Sequence, residues 1–367
     1  MPKTTRGRFA RLERYLQQVK KDVDEYLDSD EYKHRFMPAH ILDAVYSYIV
    51  RTSKTLRPAV LLLSYGAAGG DGSAALPGAA GVEVYHTWTL VHDDIIDLDQ
   101  KRRGQPTVHA EYLERAAAEL GYDRSAAQHY GLTIAILTGD VQQAWAISLF
   151  GELHTKRSVD AALVLHLISD LTLNVQTTLV DGETLDVQYS RVPPDQLTEE
   201  AILQMLWKKT GILYEFAARA GCLIALGRWE PTHPHVSALG SFASVCGLAF
   251  QLRDDVLGIT ADERSLGKPV GADIREGKRT LIVHNAFETA SAAQRAVLLH
   301  ILGNRDASQA DLDAVTHIFW ETGSIDYVQR LATEYAEKAR RFLAELPVSP
   351  YRDLLYEWSE FVVSRGV

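Results

Sequence analysis

The densest chemistry in the chain lies between Val91 and Gly104, where Val91-His92-Asp93-Asp94-Ile95-Ile96-Asp97 runs into Leu98-Asp99-Gln100-Lys101-Arg102-Arg103-Gly104. On a helix Asp93 and Asp97 stand at i and i+4, and Asp94 and Asp97 at i and i+3, so the carboxylates project from one side, a turn apart. Like charges this close repel unless a cation sits between them. Hard oxygen ligands carrying several negative charges suit Mg²⁺, an ion that keeps some of its waters and usually binds substrate phosphates as well. Stepping back from Asp97 by helical turns gives Asp93, Leu90 and His86, which puts a histidine on the carboxylate side, about 10 Å up the axis from Asp93. A lone histidine on such a face is commonly a hydrogen-bonded core residue; above an acidic pair it becomes a candidate substrate contact. Arg102 and Arg103 follow in a polar turn closed by Gly104 and Pro106, where guanidinium forks can meet phosphate oxygens. The plain alternative for them is a solvated charged loop.

A second acidic pair, Asp254-Asp255, stands near the end of another long apolar stretch, whose face carries Gly240, Ser244, Gly247, Gln251, Asp254 and Gly258. A face that small either packs closely on another helix or lines a cavity, and Gln251 and Asp254 at its end favour the cavity. Beyond it, Gly267-Lys268-Pro269-Val270-Gly271-Ala272-Asp273 and Gly277-Lys278-Arg279-Thr280 place two lysines in glycine-rich turns. Either lysine alone is an ordinary surface residue; beside paired acids Lys268 and Lys278 read as diphosphate clamps. Lys54 and Arg57 come just before a helix with Pro58 in its first turn, so an anion there meets two cations and the positive end of a helix. Lys209 and Thr210 fall inside a helix, and Glu183 and Asp186 share a face of another at i and i+3. Helical lysines and acids usually face solvent, so these four depend on the rest.

The elements that must hold these residues are helices. Apolar residues recur at three and four and almost nothing alternates at two, which predicts an all-α fold with helices over 8–27, 41–53, 58–68, 77–98, 109–120, 130–153, 159–189, 198–226, 236–258, 280–287, 292–302, 308–322 and 324–346. Short connections predict one bundle and a single domain over 1–367, since the loops at 191–196 and 228–235 are too short to read as linkers. With 46% hydrophobic residues in 367 there is material for a substantial core, and the net charge of −10 argues against a nucleic-acid binder. Cys222 and Cys246 sit in apolar surroundings and read as buried, inert thiols of a reducing compartment. The basic N-terminus leads into a polar stretch rather than an apolar one, so it is not read as a signal peptide. No uninterrupted apolar run approaches the ~20 residues of a membrane span. The expectation is a soluble, cytoplasmic protein without stable membrane insertion.

The ordered series resembles the trans-type isoprenyl diphosphate synthases, the polyprenyl synthetase family, from about Lys54 to Thr280. The family's first acidic motif, Asp-Asp-x-x-Asp, stands here as Asp93-Asp94-Ile95-Ile96-Asp97. The second, preceded by Phe-Gln, reads Phe250-Gln251-Leu252-Arg253-Asp254-Asp255-Val256-Leu257-Gly258. One such motif is weak evidence; two, with Lys54, Arg57, His86, Arg102, Arg103, Lys209, Thr210, Gln251, Lys268 and Lys278 in the family's order, are specific. The resemblance implies the isoprenoid synthase fold, usually a homodimer, with a helical bundle around a central cavity. It implies that Asp93, Asp97 and Asp254 hold three Mg²⁺ ions, with Mn²⁺ a possible substitute, while Asp94, Asp255 and Asp273 stand one step further out. It implies that Arg102, Lys209 and Lys268 bind the diphosphate of an allylic substrate, and Lys54, Arg57, His86 and Arg103 that of isopentenyl diphosphate. Thr210, Gln251 and helix carbonyls would stabilise the allylic cation.

The sequence departs from the family pattern in four ways. Gly258 replaces the last acid of the second motif, Glu183 stands where glutamine is common, Thr55 replaces an arginine, and the residues before Lys54 lack the usual paired glycines. Bulk just ahead of the first motif sets product length in the family; Trp88, Thr89 and Tyr85 hold those positions, and Trp88 implies a short product, geranylgeranyl or farnesyl diphosphate. The helical wheel places Thr89 nearer the acids than Trp88. Two rival readings remain, a terpene cyclase on the same scaffold and a non-catalytic partner subunit. The retained Lys54, Arg57, His86 and Arg103 argue against the first, and the retained acids against the second.

Overall fold

The computed structural model describes residues 7–36, 38–49, 54–261 and 271–364, with the side chains of residues 33 and 34 outside that description. It divides into two compact units, Met1–Ile168 with Ala217–Pro231, and Ser169–Phe216 with Thr232–Val367.

The first unit holds α1 (Ala10–Asp28), α2 (Ala39–Ser47), α3 (Leu56–Ala67), α4 (Leu76–Asp97), α5 (Val108–Leu120), α6 (Arg124–Thr155) and nearly all of α7 (Ala161–Ser169). Small residues let its helices approach: a Cβ on Gly131 of α6 would stand 2.3 Å from the His109 carbonyl oxygen of α5. Proline in the first turn starts α4, and Leu98 ends it in the left-handed region at φ 61°. A two-stranded hairpin follows, β1 (Lys101–Arg102) with β2 (Gln105–Pro106), Arg102 paired with Gln105. Arg103 and Gly104 both have positive φ, the conformation of the hairpin turn whose twist suits the strands. Strands of two residues are too short to show alternation, so they are invisible to periodicity. Ala44, Tyr48, Val91, Val108, Tyr112, Ile134 and Ala135 form a core cluster beneath the acidic end of α4.

The second unit contains α8 (Gln176–Tyr189), α9 (Glu199–Leu206), the start of α10 (Ile212–Leu226), α11 (Pro234–Thr260), α12 (Ala272–Glu276), α13 (Leu281–Thr289), α14 (Ala292–Ile301), α15 (Gln309–Glu321), α16 (Ser324–Phe342) and α17 (Pro350–Ser364). Its core runs from Ile202 and Met205 through Leu252, Val256 and Ile259 to Leu281, Phe319 and Val328. Capping boxes at Ser291 and Ser308 start α14 and α15. The helix α17 lies beyond the expected set, although Leu354, Leu355, Trp358 and Val362 bury one helical face of it. The stretches expected at 159–189 and 198–226 are helical for most of their length, but each contains one widened π turn, Asp170–Val175 and Trp207–Gly211.

Two stretches, Ala161–Tyr189 and Pro234–Thr260, are long and apolar enough to cross a membrane by length and composition alone. Core helices pass the same test, and α11 is such a helix, with Leu239, Phe242, Leu252 and Val256 buried. Both cysteines are free and buried, as expected, and burial pushes the Cys222 thiol up to about 12.

Candidate active site

The last turn of α4 carries Asp93, Asp94 and Asp97, and the hairpin folds Arg102 back onto it. Arg102 donates from Nε to Asp94 Oδ1 at 2.7 Å and from Nη2 to Asp93 Oδ2 at 3.2 Å. Asp94 is only 1% exposed and its other oxygen accepts from the Tyr48 hydroxyl. Both of its oxygens are thereby committed within the protein, so Asp94 anchors Arg102, while Asp93 and Asp97 remain half-buried. Burial opposes the Arg102 charge, but Asp94 and Asp93 outweigh it and raise the guanidinium further above its usual range.

Arg57, in the first turn of α3, donates from Nη1 to His86 Nε2 at 2.9 Å. A guanidinium only donates, so Nε2 is the acceptor and the imidazole proton lies on Nδ1, which faces the Thr89 hydroxyl at 3.4 Å. Burial lowers the His86 pKa well below its ordinary value, and the charges of Arg57, Arg103 and Arg102 push the same way. The imidazole is therefore neutral, set among three cations. Lys54, three residues before Arg57, is exposed. Thr89 faces His86, as the helical wheel required, whereas Trp88 turns away and packs against Tyr85 with ring centroids 4.9 Å apart. Tyr85 is fully buried.

In the second unit the π turn carries Lys209 and Thr210. Lys209 Nζ lies 2.7 Å from Asp186 and 2.9 Å from Glu183, and Lys278 reaches Asp186 at 3.4 Å and Glu276 at 3.5 Å. Two helical acids that sequence logic ordinarily sends to solvent thus hold two lysines. Thr210 donates to Gln251 Oε1 at 2.9 Å, and Gln251 donates to Asp255 Oδ1 at 2.9 Å. A Cβ on Gly182 of α8 would meet the Lys209 backbone nitrogen at 2.4 Å, so only glycine lets α8 approach the turn this closely. The small face of α11 does the same work from the other side and corrects the expectation of a cavity lining. A Cβ on Gly247 would stand 3.0 Å from Gly211 Cα, and Ser244 accepts from Trp207 Nε1 at 2.8 Å. Lys268 lies outside the described residues.

Asp255 is buried, with no hydrogen-bond partner on Oδ2 among the described residues. Burial raises its pKa to about 8, assisted by the charges of Asp273, Asp254 and Asp186. A Cβ on Gly258 would lie 3.2 Å from an Asp273 carboxylate oxygen, so Asp273 stands beside the place from which the missing acid would extend. A separate groove of about 580 Å³ is lined by Glu199, Glu200, Leu203, Gln204, Trp207 and Tyr335; two carboxylates and no cation make it the wrong charge for a diphosphate.

The profile of the family described as polyprenyl synthetase matches residues 39–319. The chain belongs to the polyprenyl synthetase family. Geranylgeranyl diphosphate synthase of Methanosarcina mazei is 35% identical over 312 residues, 85% of this chain and 86% of that one. Short chain isoprenyl diphosphate synthase of Methanothermobacter thermautotrophicus is 34% identical over 328 residues, 89% and 91% of the two chains. The crystal structure of geranylgeranyl pyrophosphate synthase from Corynebacterium glutamicum, complexed with isoprenyl diphosphate and magnesium, matches with a TM-score of 0.85 at 25% identity, across 97% of this chain and 99% of that one. The protein is thus an all-helical trans-prenyltransferase. Family membership leaves chain length open, since octaprenyl diphosphate synthase of Haemophilus influenzae is 30% identical over 355 residues.

Magnesium fits the residues present in this polyprenyl synthetase. A buried carboxylate raised by neighbouring acids, with an oxygen left over, is a group that a cation would relieve. Among the described residues no three His, Cys, Asp or Glu side chains are arranged to hold a metal by themselves. Sequence reasoning found the motif residues but not Tyr48 or Glu276, whose only signals are single polar positions in otherwise unremarked stretches.

Proposed function

We propose that the protein condenses isopentenyl diphosphate head-to-tail with an allylic diphosphate, yielding a short all-trans prenyl diphosphate, geranylgeranyl or farnesyl. The observation that carries this reading is that one unit holds more cationic groups than one diphosphate needs, Arg102 bound to Asp93 and Asp94 and Arg57 bound to His86, with Arg103 near His86 and Lys54 three residues before Arg57. A cyclase has one diphosphate to hold and no use for the second group.

In this reading Asp93, Asp97 and Asp254 hold three Mg²⁺ ions, with Mn²⁺ able to replace them, and Asp255 and Asp273 orient water around them. When bound, the metal supplies charge neutralisation of the leaving diphosphate. Arg102, Lys209, Lys268 and Lys278 add fixed cations to the same diphosphate, preorganised by Asp94, Asp186 and Glu276. Neutral His86 can offer a diphosphate oxygen only its Nδ1 proton, since Nε2 accepts from Arg57, and with Lys54, Arg57 and Arg103 it grips isopentenyl diphosphate. The Thr210 hydroxyl and Gln251 amide oxygen face the allylic cation. Asp273 substitutes for the acid absent at Gly258. The family match over residues 39–319 runs through both compact units, which supports reading 1–367 as a single functional domain.

Leu173, Val180 and Val187, seven residues apart and exposed at 65%, 51% and 47%, form an apolar helical stripe. A second copy of the chain is the occupant we propose for it, because a two-fold dimer uses the same patch on both copies and an exposed apolar stripe can cover its own counterpart. The protein is proposed to work in the cytoplasm as a homodimer.

Purified protein incubated with Mg²⁺, isopentenyl diphosphate and each allylic diphosphate in turn tests the activity. Chain extension is expected; no product with any primer rejects the reading, and a hydrocarbon from a single prenyl diphosphate indicates the cyclase. In the same assay Trp88→Ala is expected to lengthen the product, because Trp88 supplies bulk just ahead of the first acidic motif and packs against the buried Tyr85. Chromatography showing unchanged products sinks the assignment of Trp88.

A further inference from the structure

Tyr48, which no motif includes, lies just beyond α2, is 2% exposed and belongs to the core cluster under the acidic motif. Its hydroxyl has two partners on separate elements. The Val108 backbone N–H donates to it at 3.2 Å, and it donates in turn to Asp94 Oδ2. The direction is fixed by chemistry: a backbone N–H can only donate, so the hydroxyl accepts there and commits its single proton to Asp94. Val108 is the first residue of α5, whose opening N–H groups have no partner within the helix. It follows directly on the hairpin that carries Arg102. Thr107 closes the same junction by donating its hydroxyl to the Asp99 carbonyl at 2.7 Å.

Three elements therefore meet at one phenol: the end of α2, the acidic turn of α4 and the junction of hairpin and α5. Asp94 passes the constraint on, since its Oδ1 receives Arg102 Nε at 2.7 Å and lies 2.5 Å from Nη2. Nε and Nη2 are occupied by acids, which leaves Nη1 outside that set and fixes the edge the guanidinium offers. Remove the Tyr48 hydroxyl and Asp94 Oδ2 is left buried beside an apolar ring, an outcome that costs more than a surface hydrogen bond and that rotation of the carboxylate would relieve. Such a rotation carries Arg102 with it.

We propose that Tyr48 is a positioning residue for the allylic diphosphate: through Asp94 it holds the Arg102 guanidinium in the orientation that meets phosphate oxygens. The inference rests on Arg102 contacting that diphosphate. It assigns no contact between Tyr48 and either substrate.

The test compares wild-type protein, Tyr48→Phe, Arg102→Ala and the double variant. Tyr48→Phe keeps the ring and the packing and removes only the hydroxyl. Its kcat/KM for the allylic diphosphate is expected to fall roughly tenfold or more, as for a lost hydrogen bond to a charged group. The KM for isopentenyl diphosphate at saturating allylic substrate stays unchanged, and calorimetric affinity for Mg²⁺ with inorganic pyrophosphate falls in parallel. Added to Arg102→Ala, Tyr48→Phe is expected to change nothing further, because it acts through that arginine. Equal losses toward both substrates, a lowered melting temperature with unchanged pyrophosphate affinity, or additivity with Arg102→Ala would each overturn the positioning role. Inactive wild-type protein would instead overturn the synthase reading, and Arg102→Ala with undiminished pyrophosphate affinity the role of Arg102.

Discussion

At the residue scale, the acids of the second motif are strained by one another before any ion arrives. Asp255 shows it most clearly, its pKa raised to about 8 by burial first and then by the charges of Asp273, Asp254 and Asp186. An aspartate in the unfolded chain titrates near ~3.9. The folded state therefore binds the proton more tightly, and stability falls as pH rises between the two values and levels off above the upper one. In chelator, the melting temperature is expected to decline from pH 5 to pH 8 with a component that Asp255→Asn removes. Mg²⁺ with pyrophosphate is expected to raise the melting temperature more at pH 8.5 than at pH 6, since the ion prefers the ionised carboxylate. Melting curves for wild type and Asp255→Asn that run parallel across this range would show that Asp255 does not carry the effect. The same crowding gives the departure at Gly258 a physical meaning: Asp273 already stands 3.2 Å from where a side chain there would begin.

At the scale of elements, the helices that carry the motifs were legible as long apolar stretches free of strand-like alternation and bounded by glycine and proline, although α4 and α11 are buried on most sides rather than along one face. The expected 77–98 and 236–258 became Leu76–Asp97 and Pro234–Thr260. The π turn at Trp207–Gly211 was not legible, since one inserted residue leaves composition untouched and shifts the period only locally. Nor was the use of the small face on α11, because a cavity lining and a close helix contact demand the same residues. What the turn requires can be tested at Gly182, where a Cβ would press on the Lys209 and Lys208 backbone at 2.4 and 2.7 Å. Backbone cannot rotate aside as a side chain can, so α8 must retreat, and overpacking of this kind costs about 1–3 kcal/mol. Gly182→Ala is expected to lower the melting temperature by several degrees and kcat/KM for the allylic diphosphate by at least ~10-fold as Lys209 and Thr210 shift. Gly151→Ala, inside α6 with nothing within 4 Å of the new Cβ, is the control, expected to leave kcat/KM unchanged and to hold or raise the melting temperature through helix propensity. Equal behaviour of the two variants would remove the close approach of α8 as a determinant of the site.

At the scale of the whole molecule, the residues assigned to one reaction are divided between two compact units, Asp93, Asp97, Arg102, Arg57 and His86 in one and Lys209, Thr210, Gln251, Asp254 and Lys278 in the other. Chain order named all of them as candidates, but not that division, because a helix whose two ends belong to different units reads in sequence as one helix; Ile212–Leu226 is such a helix. If the two acid sets act on a single diphosphate, their loss is not additive. Asp97→Ala and Asp254→Ala are each expected to lower kcat by on the order of 10²–10³-fold, the cost of removing one element of charge stabilisation from a preorganised site. The double variant is expected to fall little below the worse single one, as residues acting as a unit do. Each single variant should also lose calorimetric binding of Mg²⁺ with pyrophosphate, a readout independent of turnover. Multiplication of the two losses in the double variant, with each single variant still binding half of the metal, would mean that the units hold separate sites. The proposed function requires the first result, because in that reading the leaving diphosphate depends on both sets of carboxylates for the neutralisation that lets its carbon–oxygen bond break.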